Sequence, residues 1–301
     1  TQQGDKHMDI ESLMAFITVL NEGSFSRAAE TLHITQPAVT KRIQNLESRL
    51  DTKLFERLQR EIRLTQSGEA LLPHALNILH EYDNAKQAVK DESGEVSGKL
   101  RIVASHHIGL HRLPLILREF ASSYPAVDLQ LNFLDSESAY SLLQENTADL
   151  AFITIPKKVR DDFTTHLIWQ DPMSFVCGKD HNLTTLKRIG PEELSQHNAI
   201  LPSQSTLTYR IVAKVFEQHS LSLNANIPTN YLETMKMMAS VGMGWSVLPN
   251  TMIDEDLYVL PVADPVIKRQ LGAVSYNKKR LGKAAMAFIA TANQFWEKHP
   301  R

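Results

Sequence analysis

The run Ser105-His106-His107-Ile108-Gly109-Leu110-His111 puts three imidazoles and a hydroxyl into seven residues. Imidazoles can ligate a metal, move protons or, once protonated, hold an anion. Histidines four or five apart share a helix face, but no carboxylate or cysteine lies at ligand spacing around them. No metal site is therefore expected. The charge reading is that His106 or His107 strengthens anion binding as pH falls. Two further segments carry comparable groups, Asp135-Ser136-Glu137-Ser138 and Pro202-Ser203-Gln204-Ser205-Thr206. All three segments stand where a helix is expected to begin. In open α/β sheets a ligand sits beyond the carboxyl ends of the strands, where helix N-termini present free N–H groups and partial positive charge. The plain alternative is that these groups are helix caps and loop residues facing water.

A second cluster is of another kind. Thr35, Gln36, Thr40, Lys41 and Gln44 crowd around Pro37. Glutamine can pair with an adenine edge, and threonine can donate, accept or touch a thymine methyl. Downstream, Arg57, Arg60 and Arg63 recur every three residues, a row suited to phosphates. From Thr35 to Arg63 seven cations face four acids, in a chain whose net charge is −2. That balance argues against nucleic-acid binding by the whole surface and for one local basic patch. The plain alternative for each arginine is a solvated or ion-paired surface residue.

These groups need elements to aim them. Ile10, Leu13, Met14, Phe16, Ile17 and Leu20 keep helical spacing, and Asn21-Glu22-Gly23 ends that helix. Ser24 caps a second helix carrying Phe25, Ala28, Ala29 and Leu32. His33-Ile34 is a tight turn. Thr35 caps a third helix, whose stripe is Ala38, Val39, Ile43, Leu46 and Leu50. Pro37 falls in the first turn, where its missing N–H has no helical partner to lose. This reads as a helix-turn-helix whose second helix enters the DNA major groove N-terminus first. Lys53–Glu69 contains a short hairpin, a wing. Ser67 to about Asp91 reads as one long amphipathic helix, a natural dimer seam. Asp91–Lys99 reads as a charged hinge containing glycine.

After Gly98 strands alternate with helices. KLRIVAS, VDLQLNFL and ADLAFITI are strands, separated by the helices HRLPLILREFASSYP and SESAYSLLQENT. That order predicts a parallel sheet with helices on both faces. MSFVCGKDH and NAILPS open a second unit, with helices in TLTYRIVAKVFEQHS and TMKMMASVGMG and a strand in WSVLP. QLGAVSY and the helix GKAAMAFIATANQFWEKH return to the first unit.

The length of 301 residues suggests about two domains. No apolar run reaches the ~20 residues of a membrane span, and no secretory signal is visible. Residues 1–7 read as a scar of expression, with Met8 the expected start. The single cysteine, Cys177, excludes an internal disulfide and suggests a reducing cytoplasm. There is no G-x-S-x-G, P-loop or dinucleotide fingerprint, so no catalytic residue and no cofactor are expected.

Met8 to about Ser67 resembles the winged helix-turn-helix of LysR-type transcriptional regulators. The likeness is carried by FITVLNEGSFSRAAETLHITQPAVTKRIQNLESRLDTKLFER and RLTQSGE, with Ser67 where the family often has alanine. EFASSYPAVDLQL, ADLAFI and VGMGWSVLP occupy the places expected in the family's effector domain. The resemblance implies an N-terminal all-α winged helix-turn-helix (8–66), a long linker and dimerisation helix (67–92) and a hinge (93–98). It further implies a C-terminal α/β two-lobed periplasmic-binding-protein-like effector domain. Lobe I would be 99–168 with 269–298, and lobe II 169–268.

The implied function is a sequence-specific DNA-binding regulator sensing a small polar or anionic effector between the lobes. Gln36, Pro37, Thr40 and Lys41 would face base edges. Thr35, Arg42, Arg57, Arg60 and Arg63 would face the backbone or minor groove. The effector would meet Ser105, His106, His107, Ser203, Gln204 and Thr206. Implied partners are double-stranded DNA, the effector, further copies of the chain (a dimer through the linker helix, then a tetramer) and RNA polymerase, with no membrane. One alternative is an oxidant-responsive regulator acting through Met235, Met237, Met238 and Met243. Cys177 alone argues against the family's disulfide-forming peroxide sensors. Another alternative is a solute-binding protein or enzyme on the same α/β fold.

Overall fold

The computed structural model describes residues 9–58, 61–90, 95–262 and 266–298. It divides into two compact units, residues 1–94 and the chain from Glu95 onward apart from Glu145–Thr147.

The first unit holds α1 (Ile10–Glu22), α2 (Phe25–Thr31), α3 (Gln36–Leu50), β1 (Phe55–Leu58), β2 (Glu61–Leu64) and α4 (Gln66–Lys90). The apolar spacing of its sequence becomes a core around Leu13, Phe16, Val19, Ala28, Val39, Leu46 and Leu54. Asp9 starts α1 by accepting from the Ser12 N–H at 2.7 Å. Gly23 ends α1 at φ 60°, a left-handed conformation that costs glycine nothing in side-chain clash. Ser24 caps α2 through the Arg27 N–H. Thr35 stands at the N-cap of α3, but its side chain makes no capping bond. The expectation that it caps α3 holds for its backbone position only. β1 and β2 pair antiparallel from Phe55↔Leu64 to Leu58↔Glu61, giving the wing. α4 runs through an internal Pro73, which removes one rung of its hydrogen-bond ladder.

The second unit contains β3 (Gly98–Ala104), α5 (His106–His111), α6 (Pro114–Ser123), β4 (Val127–Phe133), α7 (Ser136–Gln144), β5 (Leu150–Ile155) and β6 (Phe163–Gly178). It continues with α8 (Pro191–Ser195), β7 (Ala199–Ile200), α9 (Leu207–Gln218), α10 (Leu232–Ser240), β8 (Trp245–Pro249), β9 (Leu257–Val259), β10 (Ile267–Tyr276) and α11 (Lys283–Lys298). β3 already includes Gly98, the last residue of the expected hinge, while residues 91–94 lie outside the described residues.

The sheet has eight strands in the order β4-β3-β5-β10-β6-β8-β7, with β9 beside β6. It is mixed, not parallel throughout. β3 is parallel to β4 and β5, but β10 is antiparallel to both β5 and β6, and β6 is antiparallel to β8 and β9. The physical reason is the return path. The chain leaves lobe I along the 16-residue β6 and comes back along its neighbour β10, so the two must run in opposite directions. The second unit of the sequence was expected to open at Met173, but β6 begins ten residues earlier. Asp171 and Pro172 interrupt its apolar pattern. The expected helix HRLPLILREFASSYP is α6, which starts at Pro114 in its N-terminal turn, and a separate short helix, α5, precedes it and ends at His111.

Strand alternation gives each lobe a core on both faces of the sheet. In lobe I, Phe152 joins Leu100, Phe120 and Phe288, while Ala151 and Ile153 join Leu143 and Phe163. In lobe II, Phe175 joins Phe216 and Trp245, while Val176 joins Met235 and Leu248. Among the described residues no helix is long and apolar enough to cross a membrane.

Candidate functional site

On α3 the side chains of Thr35, Gln36, Pro37 and Lys41 are exposed and Thr40 is half-buried. Gln36 Nε2 donates to Thr40 Oγ1 at 3.1 Å, a pairing one turn apart that pre-orients both groups. Lys41 makes no ion pair among the described residues. Two of the expected backbone cations are engaged within the unit. Arg42 pairs with Glu11 of α1, and Arg63 reaches Glu61 at 2.8 Å. Exposed pairs of this sort are worth about 0–1 kcal/mol, so a phosphate can displace them. Arg60 lies outside the described residues, as does the side chain of Arg57.

In the second unit a cavity of about 60 Å³ lies between the lobes. It is lined from lobe I by Ser105, His106, His107, Ser136 and Glu137, and from lobe II by Thr206, Thr208 and Asn230. Four of the six expected effector residues are thus brought together. Ser203 and Gln204 do not line the cavity. Ser203 instead holds Asn230, with its N–H and its hydroxyl each 3.0 Å from Asn230 Oδ1. Gln204 is exposed. The loop from Asp135, noted in the sequence but given no effector residue, does contribute. Asn230 Nδ2 donates to Asp135 Oδ2 at 2.7 Å, and the Leu207 N–H opening α9 donates to Glu137 Oε1 at 3.1 Å. Both bonds tie one lobe to the other.

The strongest electrostatic feature was missed in the sequence. Arg269 of β10 sits opposite Asp171 of β6, where the chain crosses between lobes. Its Nε donates to Asp171 Oδ2 at 2.6 Å and its Nη1 to Thr208 Oγ1 at 3.2 Å. Arg112 Nη2 reaches the other Asp171 oxygen at 3.3 Å. Arg269 lines the cavity, and its Nη2 is buried with no hydrogen-bond partner. A signal existed. Ile267, Arg269 and Leu271 alternate onto one inward face, and a charge at an inward strand position needs a partner.

Burial, with the charges of Arg269, His111 and Arg112, pushes the His107 imidazole down to about 2. His107 therefore stays neutral, and the expectation that it gains charge as pH falls does not hold. Gly109 lets α5 sit against β4, because a Cβ there would overlap the Phe133 ring. Of the four methionines, Met235 and Met238 are core residues, while Met237 and Met243 are exposed and lie outside the cavity lining. Cys177 is fully buried on β6.

The family model described as a bacterial regulatory helix-turn-helix protein, lysR family, matches residues 10–69. The LysR substrate binding domain matches residues 93–297. The chain is 32% identical over 287 residues to the HTH-type transcriptional regulator CfxR of Cupriavidus necator, covering 92% of this chain and 89% of that one. A full-length OxyR variant from Pseudomonas aeruginosa superposes with a TM-score of 0.71 at 22% identity, covering 95% of each chain. Full-length CbnR, solved with its target DNA, gives 0.70 at 19% identity, covering 95% of this chain and 99% of that one. The two domain matches together with CfxR settle the relationship: this chain belongs to the LysR family of transcriptional regulators.

Proposed function

We propose that the chain is a cytoplasmic, sequence-specific DNA-binding regulator without catalytic activity of its own. It works as a homo-oligomer, and its effector is a small anion held between the lobes against Arg269. The carrying observation is Arg269, a buried cation that lines a small cavity and whose Nη2 has no hydrogen-bond partner. Groups of this kind are rarely left unsatisfied in native proteins, and a bound oxyanion or carboxylate supplies the missing acceptor. The Ser105 hydroxyl makes no capping bond to α5 and is available as a second donor. The volume of about 60 Å³ is far below the ~300–1,000 Å³ of drug-sized sites, which selects an inorganic anion or a short carboxylate over a bulky metabolite.

The relatives are regulators, and one structural neighbour is bound to its target DNA, which supports the DNA reading. α4 leaves Tyr82 and Val89 exposed, apolar groups available for a second copy of the helix. An anion that binds the closed cleft more tightly than the open one shifts the protein toward closure, and so the spacing of the paired DNA readers.

Thermal denaturation with inorganic anions, short monocarboxylates and larger amino acids tests this. Small anions should raise the melting temperature in a concentration-dependent way, by about 2.7 kcal/mol of stabilisation at a hundredfold excess over Kd. Ser105→Ala should weaken the shift. A shift produced by neutral polar compounds and by no anion would overturn the reading.

A further inference from the structure

His107 and His111 stand one turn apart on α5 of lobe I, with ring centroids 5.0 Å from each other. The sequence places no carboxylate near them, but the fold supplies one from 122 residues away. Glu233, in the first turn of α10 of lobe II, brings Oε1 to 2.9 Å from His111 Nε2. One ligand atom from each of His107, His111 and Glu233 lies within 4.8 Å of the other two. His107 is 5% exposed, and both its ring nitrogens are buried without a hydrogen-bond partner. A neutral imidazole carries one N–H and one lone pair, so a buried lone pair here has no acceptor role filled.

We propose that His107, His111 and Glu233 form a divalent transition-metal site that joins lobe I to lobe II. Two imidazoles and one carboxylate are the donor set of a four-coordinate zinc site with one position left for water or a ligand. Donors around such an ion stand roughly 3.4 Å apart, from metal–ligand bonds of about 2.0–2.2 Å, so donors already within 4.8 Å are near that spacing. The nitrogen and oxygen donors favour zinc, cobalt, nickel or copper over magnesium or calcium, which take oxygen ligands. Asp171 pairs with both the Arg112 and the Arg269 guanidinium, and Glu233 brings a second carboxylate to the site. Asp171 Oδ2 lies 4.0 Å from His107 Nε2. Because its ligands come from both lobes, the ion favours the arrangement in which α5 and α10 are close.

The site shares His107 with the anion cavity, but His111 and Glu233 do not line that cavity. Loss of metal binding and loss of anion binding are therefore read separately. The test is calorimetric titration of the full chain, stripped by chelation, with Zn²⁺, together with the visible spectrum after Co²⁺ addition. The expected result is one tight equivalent and a four-coordinate cobalt spectrum. His111→Ala and Glu233→Ala should each weaken binding beyond the ~10–100-fold that loss of an outer-shell partner costs. His181→Ala, which breaks a different imidazole pair with centroids 5.1 Å apart, should leave binding unchanged. Melting of each variant without metal checks that it is folded. Unchanged binding in the His111 and Glu233 variants, no tight equivalent in the wild type, or dependence on His181 would overturn the proposal.

Discussion

Arg269 and Asp171 show what a single residue can decide. Asp171 is fully buried between two guanidiniums, and removing one partner of a buried pair typically costs about 3–5 kcal/mol because the survivor is left uncompensated. Such a pair fixes geometry more than it adds stability. It holds the Arg269 guanidinium in place beside the cavity. Cys177 illustrates the opposite case, a group whose surroundings silence it. Burial raises its thiol from 9.0 to about 11, which leaves roughly a hundredfold less thiolate at neutral pH. The sign follows from linkage. The folded state prefers the protonated thiol, so this contribution to stability is complete below pH 9.0 and is lost as pH rises through about 11. Alkylation of the native chain at neutral pH should be at least ~100-fold slower than of the urea-unfolded chain, measured by thiol labelling and mass. Rapid native labelling would reopen a redox role for Cys177. At this scale the sequence exposed Ser105, His106, His107 and Thr206, because hydroxyls and imidazoles next to a strand end are visible locally. It did not expose Arg269 or Glu233. Their roles come from partners about a hundred residues away, Asp171 across the strand pair and His111 across the cleft.

Among the elements, α3 was the most legible. Pro37, the polar groups beside it and the Val39–Ile43–Leu46 stripe each follow from local helix chemistry, and all are seen. His33 marks the turn before it, held at φ 53° without being glycine. Gln36 occupies the exposed first turn of α3, braced by Thr40. Gln36→Ala should weaken binding to a specific operator by about 1–3 kcal/mol while leaving random DNA nearly unchanged, at constant salt. Fluorescence anisotropy with both duplexes checks it, and equal losses on the two would remove Gln36 from base reading. β6 was the least legible element. Its crossing point carries Asp171 and Pro172, so no run of alternating residues spans it. Pro172 is tolerated although β10 lies alongside, opposite Lys268. Local periodicity reports a strand well within one lobe and poorly where it passes between two.

Over the whole molecule, the division into a reading unit and a two-lobed sensing unit was legible from the change in periodicity near Gly98. The mixed direction of the sheet was not, because strand order and direction depend on where the chain returns. Among the described residues, the lobes of the second unit also meet through Asp135–Asn230, Glu137–Leu207, His111–Glu233, Arg269–Thr208 and the rings of His106 and Tyr231, in addition to the paired crossing strands. The hydrogen bonds among them join polar groups that a solute in the cleft can compete for. Closure is thereby open to control by solutes.

The pairing of β6 with β10 has one more consequence. Gln170 and Gln270 face each other across that pair, about 5 Å apart as neighbouring strands require. The segment between them, residues 171–269, forms an inserted cassette whose two ends are already adjacent. A chain in which that cassette is replaced by a two-residue Asn-Gly turn should keep the core of Phe120, Phe152 and Phe288 and still melt cooperatively, as followed by circular dichroism. A non-cooperative melt would mean that lobe I needs its insert in order to fold. A cooperative one would mean that a one-lobed ancestor could have acquired its cleft in a single gene insertion.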